Sequence, residues 1–162
     1  MKNYTKQELA NELSRRNIVP FVRTHIDRVG SLSFCHTMDS AENVVSAFGY
    51  LARNLSTEHI WTVFLLNGMP VGVEHSASGN SKNCLFPIRE ILQSCFLCNA
   101  NQIILLHNHV SGNVTPSKED IFITEKMKTA CTLLDITLLD HIIIGSQNNH
   151  YTSLHEAGYL KN

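Results

Sequence analysis

The chain has 162 residues, enough for a single hydrophobic core, and its 43% hydrophobic and 17% charged content is that of an ordinary globular protein. A formal net charge of −1 and an aromatic content of 7% exclude a general basic attraction to nucleic acid and a base-stacking platform. No stretch approaches ~18 uninterrupted apolar residues and the opening residues carry no apolar signal core, so a cytoplasmic protein without a membrane partner is expected. Five cysteines (Cys35, Cys84, Cys95, Cys98 and Cys131) form an odd set without a framework, which fits reduced thiols.

In chain order, Thr5-Lys6-Gln7-Glu8 has the form of a capping box and predicts a short helix to about Arg16, with Leu9 and Leu13 one turn apart. Residues 17–37 are of mixed character and read as a linker, an edge strand or an arm, so residues 1–37 are taken as a leader and 38–162 as the main domain. Asp39-Ser40-Ala41-Glu42 starts a second helix, and Val44, Phe48, Leu51 and Leu55 trace one face of it to about residue 55. Residues 60–66 are β-branched, aromatic and aliphatic, and Asn67-Gly68 is a hairpin turn into a second strand over 69–75. That hairpin is expected at a sheet edge, open to a second copy in a homo-oligomer or to an extended peptide.

A polar stretch over 76–83 interrupts, and Pro87 then opens a helix whose Ile88, Ile91, Leu92 and Cys95 share a face. Residues 102–109 form the next strand, ended by the turn Ser111-Gly112-Asn113. A helix from Pro116 to about Leu134 is expected to bury Ile123, Met127, Ala130, Cys131 and Leu134, before strands over 141–145 and near Tyr151. Helices alternating with strands predict an α/β layered sheet.

The chemistry concentrates in His107-Asn108-His109 and Asp120. On an extended strand His107 and His109 project to one side, ~7 Å apart along the backbone, while Asn108 points to the other side and reads as structural. Thr115-Pro116-Ser117 opens a helix, so Asp120 falls in a first turn, where the helix dipole favours a carboxylate. Ser117 with Asp120 also fits a capping box that needs no metal. Two histidines and one aspartate make the three-ligand set of a catalytic zinc site that leaves its fourth position to water.

Here a resemblance can be named. His107-x-His109, Ser117 and Asp120 resemble the JAMM signature of MPN-domain metalloproteases, and the run from His107 to Asp120 is similar to the RadC branch of that family. Pro87-Ile88-Arg89-Glu90 resembles the family's helix start, residues 100–106 its apolar strand and Leu138-Leu139-Asp140-His141-Ile142-Ile143-Ile144-Gly145 its closing strand, so the likeness covers roughly residues 40–160. It implies an MPN (JAB/JAMM)-like mixed twisted sheet flanked by helices, with zinc held by His107, His109 and Asp120.

A zinc hydrolase also needs a carboxylate that moves the proton. The resemblance assigns that role to Glu58, at the head of the first strand, in preference to Glu74 on the second, and makes Ser117 a donor to the developing oxyanion. His141 is either a group behind the ligands or a structural histidine. The implied function is a zinc-dependent peptidase or isopeptidase acting on a peptide or protein substrate, in a family labelled with DNA repair. The alternative is a non-catalytic accessory module in DNA repair, recombination or mobile-element biology with a structural or vestigial metal site.

RadC-like chains usually carry proline where Val110 stands and aspartate where Asn113 stands, and neither position supplies a ligand. They also carry an N-terminal helix-hairpin-helix region that the opening residues do not resemble, so an MPN domain with a short leader is expected. An HNH nuclease spreads its residues over a ββα unit, and a zinc deaminase needs a His-x-Glu and a proline before its Cys-x-x-Cys. Cys95-Phe96-Leu97-Cys98 lacks both and reads as core thiols on a helix.

Overall fold

A computed structural model of the protein describes residues 38–79, 86–147 and 150–160; the leader helix expected near residues 5–16 lies outside them. Among the described residues a mixed five-stranded sheet carries helices on both faces. The elements are α1 (Ala41–Phe48), a 3-10 turn over Gly49–Ala52, β1 (Glu58–Leu66), β2 (Met69–Gly79), α2 (Ile88–Leu97), β3 (Gln102–Asn108), α3 (Lys118–Thr132), β4 (Thr137–Ile144) and β5 (Tyr151–Ser153). The strand order is β2-β1-β3-β4-β5, with β3 and β4 the parallel pair and the other neighbours antiparallel. A parallel pair needs a crossover, which α3 supplies.

Central strand β3 is apolar without alternation because both of its faces are covered. Ile104 and Leu106 join Val63, Leu65, Ile142 and Ile144 under Val44, Val45 and Phe48 of α1. Ile103 and Leu105 join Phe64 and Leu138 under Ile91, Leu92 and Cys95 of α2 and Met127 and Cys131 of α3. The second of these faces is also the face of Glu58 and His107, since β1 and β3 alternate side by side through the pair Ile60–His107.

Between β1 and β2, Asn67 and Gly68 take φ of 51° and 81°, the left-handed pair that a two-residue hairpin of primed type requires. Their amides are held by the Asn101 and Gln102 side chains at 3.0 and 2.6 Å, which ties the hairpin to the start of β3.

Three local expectations are corrected. The helix expected to residue 55 ends at Phe48, tightens into the 3-10 turn and stops before Asn54, whose φ of 57° is left-handed. β2 does not stop at residue 75 but pairs on to Gly79, because the hydroxyls of its polar end suit an edge: Ser76 Oγ bonds Thr62 Oγ1 at 2.7 Å. In α3 the buried residues are Thr124, Met127 and Cys131, whereas Leu134 lies beyond the helix and is exposed. No helix among the described residues is long and apolar enough to cross a membrane.

Candidate metal centre

β3 delivers His107 from inside the sheet and His109 just beyond its last residue. The chain then turns back, with the Gly112 amide donating to the His109 carbonyl at 2.9 Å and Gly112 at a φ of 71°, a conformation that suits glycine. The two rings meet edge to face with centroids 4.7 Å apart.

Asp120 arrives from α3. Ser117 is the N-cap: its Oγ accepts from the Asp120 amide at 3.0 Å, and Asp120 Oδ2 accepts from the Ser117 amide at 2.7 Å and from its hydroxyl at 2.6 Å. The same carboxylate faces both histidines, with His107 Nε2 3.4 Å from Oδ1 and His109 Nε2 3.2 Å from Oδ2. One donor atom from each of the three residues lies within 4.8 Å of the others.

The site's electrostatics follow from burial and these contacts. His107 is 5% exposed, and burial pushes its imidazole down to about 4, against the pull of Asp120. The hydrogen bond to Asp120 raises His109, and its Nδ1 donates to the Asn113 carbonyl at 2.7 Å. Burial acts to raise Asp120, but the His109 and Ser117 hydrogen bonds and the His107 charge hold it well below the ordinary carboxylate range. A deprotonated carboxylate and neutral imidazoles are the states that bind a metal.

Glu58 and Glu74 part company here. Continuing the β1–β3 ladder two residues past Ile60–His107 brings Glu58 level with His109, and burial raises its carboxyl while the charges of His109 and Asp120 act on it. Glu74 lies opposite Thr62 on β2, where its carboxylate accepts from Ser94 Oγ at 3.0 Å on α2.

Asn108, read from the sequence only as a structural residue, turns its amide toward β1 across the sheet edge. Its Oδ1 accepts from the His59 amide at 2.8 Å and its Nδ2 donates to the Thr57 carbonyl at 3.0 Å, so it clasps the backbone on both sides of Glu58. Nothing local in the sequence signals that contact. Asn113 serves the site through its backbone carbonyl, while its side chain accepts from the Thr115 amide at 3.0 Å and Val110 is exposed. His141 is fully buried beside His107, at 3.0 Å from His141 Nε2 to His107 Nδ1. Its neighbour Asp140 accepts from Ser153 and from the His141 and His155 amides, which ties β4 to β5 and the turn after it. Cys95 is buried in α2 and Cys98 caps its end; burial pushes the Cys95 thiol up to about 11, which fits an inert core thiol.

A family model described as the RadC-like JAB domain matches residues 38–159. The chain belongs to this family. The JAB family includes some metalloproteases, and its fold sometimes binds zinc. Similar proteins include a UPF0758 protein of Staphylococcus aureus strain bovine RF122, 45% identical over 110 residues that make up 67% of this chain and 47% of the relative. A UPF0758 protein of S. aureus strain NCTC 8325 is 44% identical over 67% of this chain and 49% of its own length. One from Staphylococcus haemolyticus is 42% identical over the same share of this chain and 47% of its own. The chain spans about half the length of the curated relatives it matches.

Proposed function

We propose that the protein is a zinc-dependent hydrolase of JAMM type that cleaves peptide or isopeptide bonds. The observation that carries this reading is the convergence of His107, His109 and Asp120, with donor atoms within 4.8 Å of one another, at the point on the sheet edge where Glu58 stands level with His109. Two imidazole nitrogens and one carboxylate suit zinc in chemistry and number and leave room for a reacting group.

Zinc bound to these residues would supply Lewis acidity and lower the pKa of a water toward ~7. Glu58 accepts the proton of the water that attacks the carbonyl carbon, then delivers it to the leaving nitrogen as the C–N bond breaks, giving a carboxylic acid and an amine. Its raised carboxyl pKa, set first by burial, suits a group that must both take and give a proton. Ser117 stands at the rim with its hydroxyl hydrogen-bonded to Asp120, so its first duty is to orient that ligand; it becomes a donor to an oxyanion only when Asp120 releases it. Among the described residues β2 is an outer strand, and it ends beside Glu58 through the pair Glu58–Gly79, so an extended substrate added to it would run toward the site.

Elemental analysis of purified, zinc-equilibrated protein, paired with a peptide-library cleavage assay, tests the reading. One zinc per chain, lost in the His107→Ala, His109→Ala double variant, together with cleavage that disappears in Glu58→Gln is expected. Stoichiometric zinc without cleavage of any peptide or isopeptide would overturn the hydrolase and favour an accessory module.

A further inference from the structure

We infer that His141 is a positioning residue of the metal centre: a directed hydrogen-bond chain from the Asp120 carbonyl through Thr124 and His141 fixes His107 as its Nδ1–H tautomer and leaves the Nε2 lone pair for the metal. The inference rests on the zinc site proposed above for its consequence, but not for its geometry.

The direction of the chain follows from what each atom can do. The Asp120 carbonyl can only accept, so Thr124 Oγ1, 2.6 Å away, donates its one proton there. That hydroxyl must then accept from its other neighbour, His141 Nδ1 at 2.7 Å. A neutral imidazole carrying its proton on Nδ1 has a bare Nε2, and the group 3.0 Å from it is His107 Nδ1, which therefore donates. With its proton on Nδ1, His107 presents a bare Nε2 to Asp120 Oδ1 and the ligand cluster. His141 has no exposed surface, and the ring of Phe86 packs edge-on against it with centroids 5.8 Å apart. On His109 the Asn113 carbonyl likewise accepts from Nδ1, so both histidines are held from behind by an acceptor, and the bond from His109 Nε2 to Asp120 is the one a metal would replace.

The sheet is built irregularly to put His141 there. β3 and β4 pair Ile103 with Leu138 and then Ile104 with Asp140, so Leu139 is an extra residue in β4. Were the same residues paired regularly from Ile103–Leu138 onward, His141 would stand opposite Leu106 and face the core under α1; with Leu139 bulged out, His141 stands opposite Leu105, on the face of His107. A bulge that moves one side chain across a sheet beside a cluster of ligands is a device for aiming that side chain. A buried histidine serving only the core would need neither the bulge nor a hydrogen-bond chain ending on a ligand.

Two measurements test this. In metal-free, isotope-labelled wild type, long-range proton–nitrogen correlation spectra read the tautomer of His107 directly: protonation at Nδ1 is expected, and protonation at Nε2 overturns the inference. Chelator competition then gives zinc affinity for His141→Leu, which fills the space without an acceptor, and His141→Gln, whose amide oxygen restores one near the position of Nε2. Affinity is expected to fall ~10–100-fold in the leucine variant and to be largely restored in the glutamine variant, the size seen when a group behind a metal-ligating histidine is lost. Equal affinities in all three folded proteins overturn it. Should the leucine variant not fold, Thr124→Val breaks the chain one step back and must shift the His107 tautomer. If wild type takes up no zinc, the function proposed above fails, while the tautomer of His107 still decides the role of His141.

Discussion

Replacing Asn108 with alanine removes the clasp on either side of Glu58 while leaving every proposed ligand and the proposed proton carrier in place. Two hydrogen bonds vanish, at 2.8 and 3.0 Å, from a side chain only 3% exposed. At ~0.5–1.5 kcal/mol net for each bond, and more where the abandoned His59 amide stays dry, the loss is ~2–3 kcal/mol. For a chain of this length, ~2–4 °C per kcal/mol turns that into a fall in Tm of roughly 4–12 °C. The backbone of Asn108 stays paired to Ile144, so zinc affinity is expected to hold within ~3-fold while turnover falls ~10–100-fold, as a misplaced reacting group entails. The assay is cleavage rate beside zinc affinity and thermal unfolding on one preparation. The reasoning is refuted if Tm and turnover both match wild type, or if turnover falls only in step with lost zinc, because Asn108 would then act on the ligand strand and not on Glu58.

Glu58→Gln is expected to keep zinc and lose ~10²–10⁴-fold in turnover, with Glu74→Gln near wild type in cleavage assays; the reverse ranking would place the proton carrier on β2. In metal-free protein, burial holds His107 at about 4 against an ordinary 6.5, so between those values the unfolded chain binds a proton that the folded site refuses. The contribution of His107 is therefore complete above pH ~6.5 and falls as pH drops toward 4, by ~3 kcal/mol from that group, with buried His141 acting in the same sense and Glu58, Asp140 and His109 in the opposite one because their pKa values are raised. Urea titrations with a chelator from pH 4 to 7 check this, and His107→Gln should make the profile shallower, with the part due to His141 remaining; an unchanged slope sinks the assignment. Ser117→Ala removes the cap and a bond to Asp120, costing ~0.5–2 kcal/mol, and zinc affinity should fall along with stability when both are measured.

What was legible in the sequence was what depends on near neighbours. The primed turn at Asn67-Gly68, the capping box of Ser117 with Asp120, and the His-x-His spacing are all set within a few residues, and each stands as expected. Local pattern failed where tertiary pairing decided. The apolar positions of residues 41–55 fit one helical face, yet the chain needs a reversal near Asn54 to enter β1 and ends the helix early. The hydroxyl-rich end of β2 looked like a loop because its partners, Thr62 among them, lie on another strand.

The parts of the site that were hidden share one cause: they depend on strand register. Which of two glutamates lies beside His109 depends on whether it sits on β1 or on β2, a question settled by the pairing of Ile60 with His107. The side of the sheet that His141 faces depends on Leu139 being bulged out of the pairing and not matched to Ile104. Asn108, set on the far face by strand alternation, finds the β1 backbone only because β3 and β1 end together at that edge. Asp120 shows how the local and register-dependent levels meet. Its Oδ2 is engaged by the cap of α3 and its Oδ1 faces His107, so the residue that starts the helix also fixes where the helix stands against the two strand ends. Helix start and proposed metal ligand are therefore one constraint on one side chain, and a change that breaks the cap moves the Asp120 carboxylate with it.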